Sequence, residues 1–254
     1  MEALLSGSAP LDPDVHRFFM ALNIDLYEGY GLTETCPALT CNLPGKIRIG
    51  TVGPPLPDVQ IKIAADGEIL AKGPNVTQGY LNRPEATADA FDDEGWFHTG
   101  DLGTFEDGFV KITGRKKELI KTSGGKYVAP AKIEGRLKGL TFIQEAIVIG
   151  DKRNFCVTLL AMDPEGLEDF AAQRGCAASQ DDPVVLAEID AHLKKVNGTL
   201  ASFESIKYYR LTPEPLSIEN GLLTASLKVK RNIVEERYAD LIAEMYATAK
   251  KPAR

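Results

Sequence analysis

Four short clusters hold the side chains with which this chain could do chemistry. Tyr30–Glu34 (YGLTE) joins a flat ring to the Thr33 hydroxyl and the Glu34 carboxylate. Gly29 and Gly31 there let backbone come close to a bulky ligand. His98–Asp101 (HTGD) sets an acid beside a glycine turn, and an aspartate accepting two hydrogen bonds suits a ribose diol. Thr122–Lys126 (TSGGK) has the look of a phosphate cradle. Thr224–Arg231 (TASLKVKR) gathers Lys228, Lys230 and Arg231 into a dense positive patch, with Lys207 and Arg210 upstream. A loop lysine of this kind can neutralise charge developing on a phosphate. Taken singly, each cluster also has a plainer reading: a Gly-rich turn with a surface acid, a turn-capping aspartate, a solvated basic loop.

Several chemistries are excluded at this level. TSGGK fails the pattern GxxxxGK[ST], because Tyr127 follows Lys126, and neither GxGxxG nor GxSxG occurs. Cys36, Cys41, Cys156 and Cys176 form no CxxC pair, and His16, His98 and His192 are scattered, so a zinc site has little to build on. Ordinary thiols in a reducing cytosol are the expectation. The net charge of −7, from 29 basic and 36 acidic residues, argues against a general nucleic-acid or anionic-membrane binder. No apolar run nears the ~20 residues of a membrane span, and the N-terminus lacks a basic-then-apolar signal pattern. His98 reads as an exposed or packing histidine, and Trp96 as a core or barrel-edge residue.

The elements that must position these clusters follow from periodicity. With 254 residues, 44% of them hydrophobic, the chain can build one large or two modest cores. Asp12–Leu22 reads as a helix capped by Asp12, with Pro13 in its first position and Val15, Phe18, Phe19 and Leu22 on one apolar face. Ile24–Tyr27 reads as a short strand entering a Gly-rich turn. From Gly50 to Val110 the pattern is of short strands cut by Gly, Pro and Asp. Val59, Ile61 and Ile63 alternate before a DG turn and Ile69 and Ala71, and Asp107-Gly108 repeats the device, which predicts a small antiparallel barrel or sheet. Further on, Pro130–Leu137 suggests a helix, and Ala146–Ile149 and Val157–Met162 suggest strands. Val185, Ile189, Leu193, Val196 and Leu200 form one helical face; Val234, Tyr238, Leu241, Ile242 and Met245 form another. Charge divides the chain: residues 1–116 hold nine basic and 17 acidic residues, and the remainder 20 and 19, which places a boundary just after GRKK.

In order along the chain, SGSAPL, YGLTE, GEILAKGPNVTQGYLNRPEAT, WFHTGD, GRKKELIK and TASLKVKR resemble the adenylate-forming superfamily of acyl-CoA synthetases, luciferase and nonribosomal-peptide adenylation domains. GRKKELIKTSGGKYVAP and TASLKVKR bring the likeness nearest to the C-terminal half of a long-chain fatty-acyl-CoA synthetase. The resemblance implies a mixed α+β fold. Residues 1–116 would be the end of the large adenylating domain, with an α/β remnant over 1–45 and a barrel-like subdomain over 46–116; residues 117–254 would be the mobile C-terminal domain. It implies ATP or AMP, Mg²⁺ and CoA as ligands and a fatty acid as substrate. Ser8, Ala9 and Pro10 would line the adenine pocket, with Gly29 and Gly31 beside Tyr30, whose ring would stack on the base. Thr33 would contact the α-phosphate, Glu34 would hold Mg²⁺, and Asp101 and Arg115 would grip the ribose. Lys117 matches the hinge and Lys228 the adenylation lysine. Lys121 would serve the thioester step, with Gly124 and Gly125 leaving room for the pantetheine arm.

The family's phosphate loop, of the form TSGTTGxPKG, does not occur in these 254 residues. The chain is therefore expected to be an excised or truncated piece, to need the N-terminal half as its partner, and to adenylate little or not at all alone. A non-catalytic module binding AMP or a partner, and a ligase for an aryl or amino acid, are the alternatives. A cytoplasmic monomer without nucleic-acid partners, open to peripheral membrane contact, completes the expectation.

Overall fold

A computed structural model of the chain describes residues 3–248, which divide into two compact units, one ending at Leu119 and the other beginning at Ile120. In the first, β1 (Ala3–Ser6) runs parallel to β2 (Asp25–Tyr30), with helix α1 (Pro13–Ala21) as the crossover. The Asp12 carboxylate accepts the Asp14 amide and Pro13 opens the helix, as the sequence leads one to expect. The expected apolar face is present but not packed. Val15, Phe18 and Leu22 are 45%, 60% and 57% exposed, and the side chain turned fully inward is His16. β2 also extends past the predicted turn, through Gly29 to Tyr30, where the two-residue β3 (Thr40–Cys41) pairs antiparallel with it.

The second sheet of this unit is an antiparallel meander of β4 (Gln60–Ile63), β5 (Glu68–Lys72), β6 (Phe97–Glu106) and β7 (Phe109–Arg115). Both expected hairpins form. Ile63 faces Ile69 across the first, and Glu106 faces Phe109 across the second, where Asp107 and Gly108 both take positive φ, the geometry of a tight two-residue turn. The sheet is open, because β4 and β7 are its two edges, so it is half a barrel rather than a closed one. The region read as short strands cut by Gly, Pro and Asp also contains a short helix, α2 (Pro84–Ala90), opened by its proline. Tyr30, Leu39, Val52, Ile69, Ala71 and Val110 form the core joining the two sheets.

The second unit begins with a small hairpin of β8 (Ile120–Lys121) and β9 (Tyr127–Val128), followed by α3 (Pro130–Leu137). Its central sheet has β10 (Ile143–Ile149), β11 (Cys156–Met162) and β12 (Ile206–Leu211) in that order, with the last pair parallel. All seven residues of β11 are buried, and alternate ones feed opposite faces. Cys156, Leu160 and Met162 pack with Ile133, Phe142, Val185 and Ile189 on one side; Val157, Leu159 and Ala161 pack with Leu222, Val234, Ile242 and Met245 on the other. The first layer is built by α3, α4 (Pro164–Arg174) and α5 (Pro183–Asn197). The expected C-terminal helix is two, α6 (Arg231–Arg237) and α7 (Ala239–Thr248), broken at Tyr238. Leu200, expected on the α5 face, lies past the end of that helix. α4 and β12 escaped prediction. Only Leu167 and Ala171 of α4 are buried, so its periodicity is weak, although Asp163 caps it and Gly175 at φ +67° ends it. No helix of the described residues is long and apolar enough to cross a membrane.

Candidate functional site

In the first unit the candidate residues gather around β6 and β7. Asp101 and Arg115 are cross-strand partners, with Arg115 Nε 3.6 Å from Asp101 Oδ1. The Tyr30 hydroxyl, arriving from β2, donates to Asp101 Oδ2 at 2.7 Å. Asp101 is 8% exposed. Burial pushes its carboxyl above the usual value, while the Tyr30 hydrogen bond and the Arg115 charge pull the other way. Tyr30, the ring expected to stack on the base, is 9% exposed, and burial beside Asp101 drives its phenol upward. Its hydroxyl holds Asp101 and its ring joins the core of the unit, since a strand ending at residue 30 turns this side chain inward.

YGLTE continues into a single 3-10 turn over Thr33–Thr35. Gly31 is obligatory here, because a Cβ would fall 1.8 Å from the Pro37 carbonyl oxygen. Thr33 is exposed, and Glu34 Oε1 accepts the Tyr80 hydroxyl at 2.9 Å. The turn is tied from below by the buried Thr35, which accepts the Leu32 amide, and by Asn75, whose amide donates to the Thr35 and Ala38 carbonyls. Sequence reasoning assigned no role to Tyr80, Asn75 or Thr35. The first two lie inside the GEILAKGPNVTQGYLNRPEAT block, whose presence was the available signal. Ser8, Ala9 and Pro10 form an exposed loop after β1, with Ser8 at φ +69°.

Glu34 is the candidate metal carboxylate, and among the described residues no group of three or more His, Cys, Asp or Glu converges to hold an ion. One carboxylate fits a Mg²⁺ that arrives on nucleotide phosphates, because such ions take one or two protein carboxylates and complete their shell with phosphate oxygen and water.

A second set of carboxylate contacts lies beside Asp101. Glu68 Oε1 accepts the Gly100 amide at 2.9 Å; its Oε2 accepts Lys116 Nζ at 2.9 Å and lies 3.1 Å from His98 Nδ1. His98 is therefore neither free nor merely packed. Burial pushes the Glu68 carboxyl up, but His98, Lys116 and the Gly100 amide together bring it below the usual value. Trp96 directly precedes β6, with Lys62 Nζ 4.4 Å from its ring centre. Lys117 is exposed in the 3-10 turn Lys116–Glu118.

The remaining candidates lie in the second unit. Lys228 is exposed on a tight excursion between Leu222 and Lys230. The excursion is closed by the Lys230 amide on the Leu222 carbonyl and by the Lys228 amide on Thr224 Oγ1, with Leu227 at φ +59°. The expected positive patch is smaller than its sequence suggests. Arg231 is drawn inward, donating to Glu134 Oε1 at 2.7 Å and to the Val148 carbonyl at 3.0 Å. Lys207 and Arg210 belong to β12, where Arg210 Nε lies 3.8 Å from Glu244. Lys121, Gly124 and Gly125 belong to the β8–β9 hairpin. Lys121 is exposed, with its ammonium 5.5 Å from the Tyr127 ring centre. A Cβ at Gly125 would meet nothing within 4 Å, and one at Gly124 only Thr122 Oγ1 at 4.0 Å.

Comparison with known proteins adds the following. A family model described as AMP-binding enzyme matches residues 1–81, and one described as AMP-binding enzyme C-terminal domain matches residues 117–250. Long-chain-fatty-acid–CoA ligase FadD15 of Mycobacterium bovis is 42% identical over 251 residues, covering 96% of this chain and 42% of its own. Human long-chain-fatty-acid–CoA ligase 6 is 37% identical over 265 residues, covering 96% of this chain and 38% of its own. The chain thus spans about two fifths of the length of these curated relatives. Among solved structures, the A domain of carboxylic acid reductase from Segniliparus rugosus, in complex with AMP and a carboxylic acid, superposes with a TM-score of 0.77 at 26% identity, over 97% of this chain and 39% of that one. O-succinylbenzoate Coenzyme A synthetase from Bacillus subtilis, in complex with ATP and magnesium, gives 0.70 at 28% identity, over 91% of this chain and 46% of that one.

Proposed function

This chain belongs to the AMP-binding enzyme family, and we propose that it is the C-terminal portion of an ATP-dependent long-chain fatty-acid–CoA ligase. In this reading the unit up to Leu119 ends the adenylating domain, and the unit from Ile120 is the domain carrying the adenylation lysine. The observation that carries the reading is the Asp101 carboxylate, buried between the Tyr30 hydroxyl and the Arg115 guanidinium. A charge withdrawn from water needs hydrogen-bonding partners. A ribose diol supplies two hydroxyl donors to the lone pairs that Tyr30 and Arg115 leave open.

Ser8, Ala9 and Pro10, with the glycines at 29 and 31, border the adenine in this proposal. Thr33 meets the α-phosphate, and Glu34, held by Tyr80, faces the phosphate-bound Mg²⁺, which supplies charge neutralisation when bound. A fatty carboxylate oxygen forms a bond to the α-phosphorus while the bond to the β-phosphate bridging oxygen breaks, releasing pyrophosphate. Lys228 lies between carboxylate and phosphate oxygens in that step, where two anions must meet. In the second step the CoA sulfur bonds to the acyl carbon and AMP leaves. There Lys121 screens charge and Gly124 and Gly125 leave space for a slender thiol arm, with Lys117 as the hinge between steps.

The same proposal has the 254-residue chain turning over little or not at all by itself. TSGTTGxPKG does not occur in it, and phosphate gripping draws on many backbone amides at once. We further propose a cytoplasmic monomer without nucleic-acid partners that acts with the rest of the ligase.

Calorimetry on this chain with AMP and with 2′,3′-dideoxy-AMP tests the ribose assignment. Loss of hydrogen bonds to a charged group predicts about tenfold to hundredfold weaker binding of the dideoxy compound; equal affinities would defeat the assignment. Pyrophosphate exchange by the full-length protein with fatty, aryl and amino acids tests the substrate class. Exchange with no acid at all would leave the non-catalytic AMP-binding module as the surviving reading.

A further inference from the structure

Glu68 opens β5 and is 4% exposed, yet it is a full carboxylate in a strand whose next residues, Ile69 and Ala71, are core. Burying such a charge costs several kcal/mol by general estimates unless it is well paired, so the groups it holds explain its presence. Those groups lie on β6 and in the turn directly after β7, the two strands of the proposed ribose grip. Along β5 and β6 the pairing steps from Leu70–His98 to Glu68–Leu102, which sets two residue steps against four and throws residues 99–101 out of the ladder as a bulge. Gly100 sits at its crest with φ +73°. Its amide, which no strand partner can take, is accepted by Glu68 Oε1. Thr99 Oγ1 closes the other side, accepting the Asp101 amide at 3.1 Å and donating to the Ile69 carbonyl at 2.7 Å. Across the sheet, Glu68 Oε2 holds Lys116, the residue after Arg115, and Lys116 also reaches Asp66 at 2.6 Å.

One carboxylate thus grips the residue before Asp101 and the residue after Arg115. We propose that Glu68 is a positioning residue: by holding the Gly100 bulge and Lys116 together, it aims Asp101 and Arg115 at the two ribose hydroxyls. This inference rests on the ribose assignment made above. His98, on the same Oε2, steadies the carboxylate from the bulge's entry side.

The test compares Glu68→Ala, which removes every contact, with Glu68→Gln, which keeps an oxygen for Gly100 and loses the charge facing Lys116. Amide hydrogen exchange is read at Gly100 and Asp101, with β2 as an internal reference for a folded first unit. Exchange at these two bulge amides should rise at least tenfold in the alanine variant and less in the glutamine variant, with β2 unchanged. AMP affinity should fall at least tenfold in the alanine variant, while 2′,3′-dideoxy-AMP, which lacks the groups being aimed at, should lose less than twofold. Unchanged exchange at the bulge overturns the inference, and so does an equal loss for both nucleotides, which a merely destabilised fold would produce. If the unaltered chain binds both nucleotides alike, the ribose assignment itself fails. That result is visible before any variant is made, so the two failures are distinct.

Discussion

Asp101 illustrates how a single side chain depends on groups distant in sequence. Its carboxylate is held by a phenol 71 residues away and by a guanidinium on the neighbouring strand. Removing the Tyr30 hydroxyl in Tyr30→Phe leaves one oxygen of a buried charge short of a donor, which costs about 1–3 kcal/mol. The expected result is a lower melting temperature and a further rise in the Asp101 carboxyl pKa, followed by carbon-13 NMR. Lys228 answers to the opposite logic. It is exposed, and no ion pair among the described residues engages it, so its substitution spares the fold. On the proposed function, Lys228→Ala in the full-length protein should lower adenylation by about 100-fold or more, while thioester formation from supplied acyl-adenylate is largely kept. Equal loss of both half-reactions would contradict its assignment to the first step.

At the scale of elements, α1 buries a histidine where its pattern offered an apolar face. Among the described residues neither His16 ring nitrogen has a hydrogen-bond partner, and burial holds the imidazole below its usual 6.5 against a weaker pull from the Leu26 backbone. The fold therefore favours the neutral ring. Its contribution to stability is complete above pH 6.5 and is lost as pH falls through the lower folded value. Thermal melts should show unit one weakening as the pH drops below 6.5, and His16→Leu should flatten that slope. β11 is a simpler case. Its Leu159 is fully buried in the layer facing α6 and α7, so Leu159→Ala should cost about 2–5 kcal/mol in denaturant unfolding. Elements with strong periodicity, such as α3 and α5, were readable in advance. α4 was not, because most of its turns face water and its boundaries are set by Asp163 and Gly175 rather than by an apolar stripe.

Across the molecule, ion pairs set the ends of the pH range. Hydrogen bonds from His98, Lys116 and Gly100 outweigh burial and keep Glu68 below its usual 4.5, so its stabilising effect is present above that pH and is lost as pH falls through the folded value. Lys116 is raised by Asp66 and Glu68, so its contribution persists below 10.5 and disappears as pH climbs through the folded value. Circular dichroism of the first unit in acid should show the β5–β6 region losing order before Glu68→Gln does, since the variant has no charge left to neutralise there.

The amino-acid sequence by itself determined the family, through six motifs in one order. It also determined most strands and helices, because hydrophobic period, proline starts and Asp-Gly turns act within a few residues. Only the tertiary structure decided which polar groups meet. Tyr30 turned inward to Asp101, Glu34 joined Tyr80, Arg231 left the basic patch for Glu134, and Glu68 found Gly100 and Lys116. These partners lie 32 to 97 residues apart. A buried donor or acceptor takes whichever mate the packed backbone brings within about 3 Å, and no local pattern in the chain records that choice.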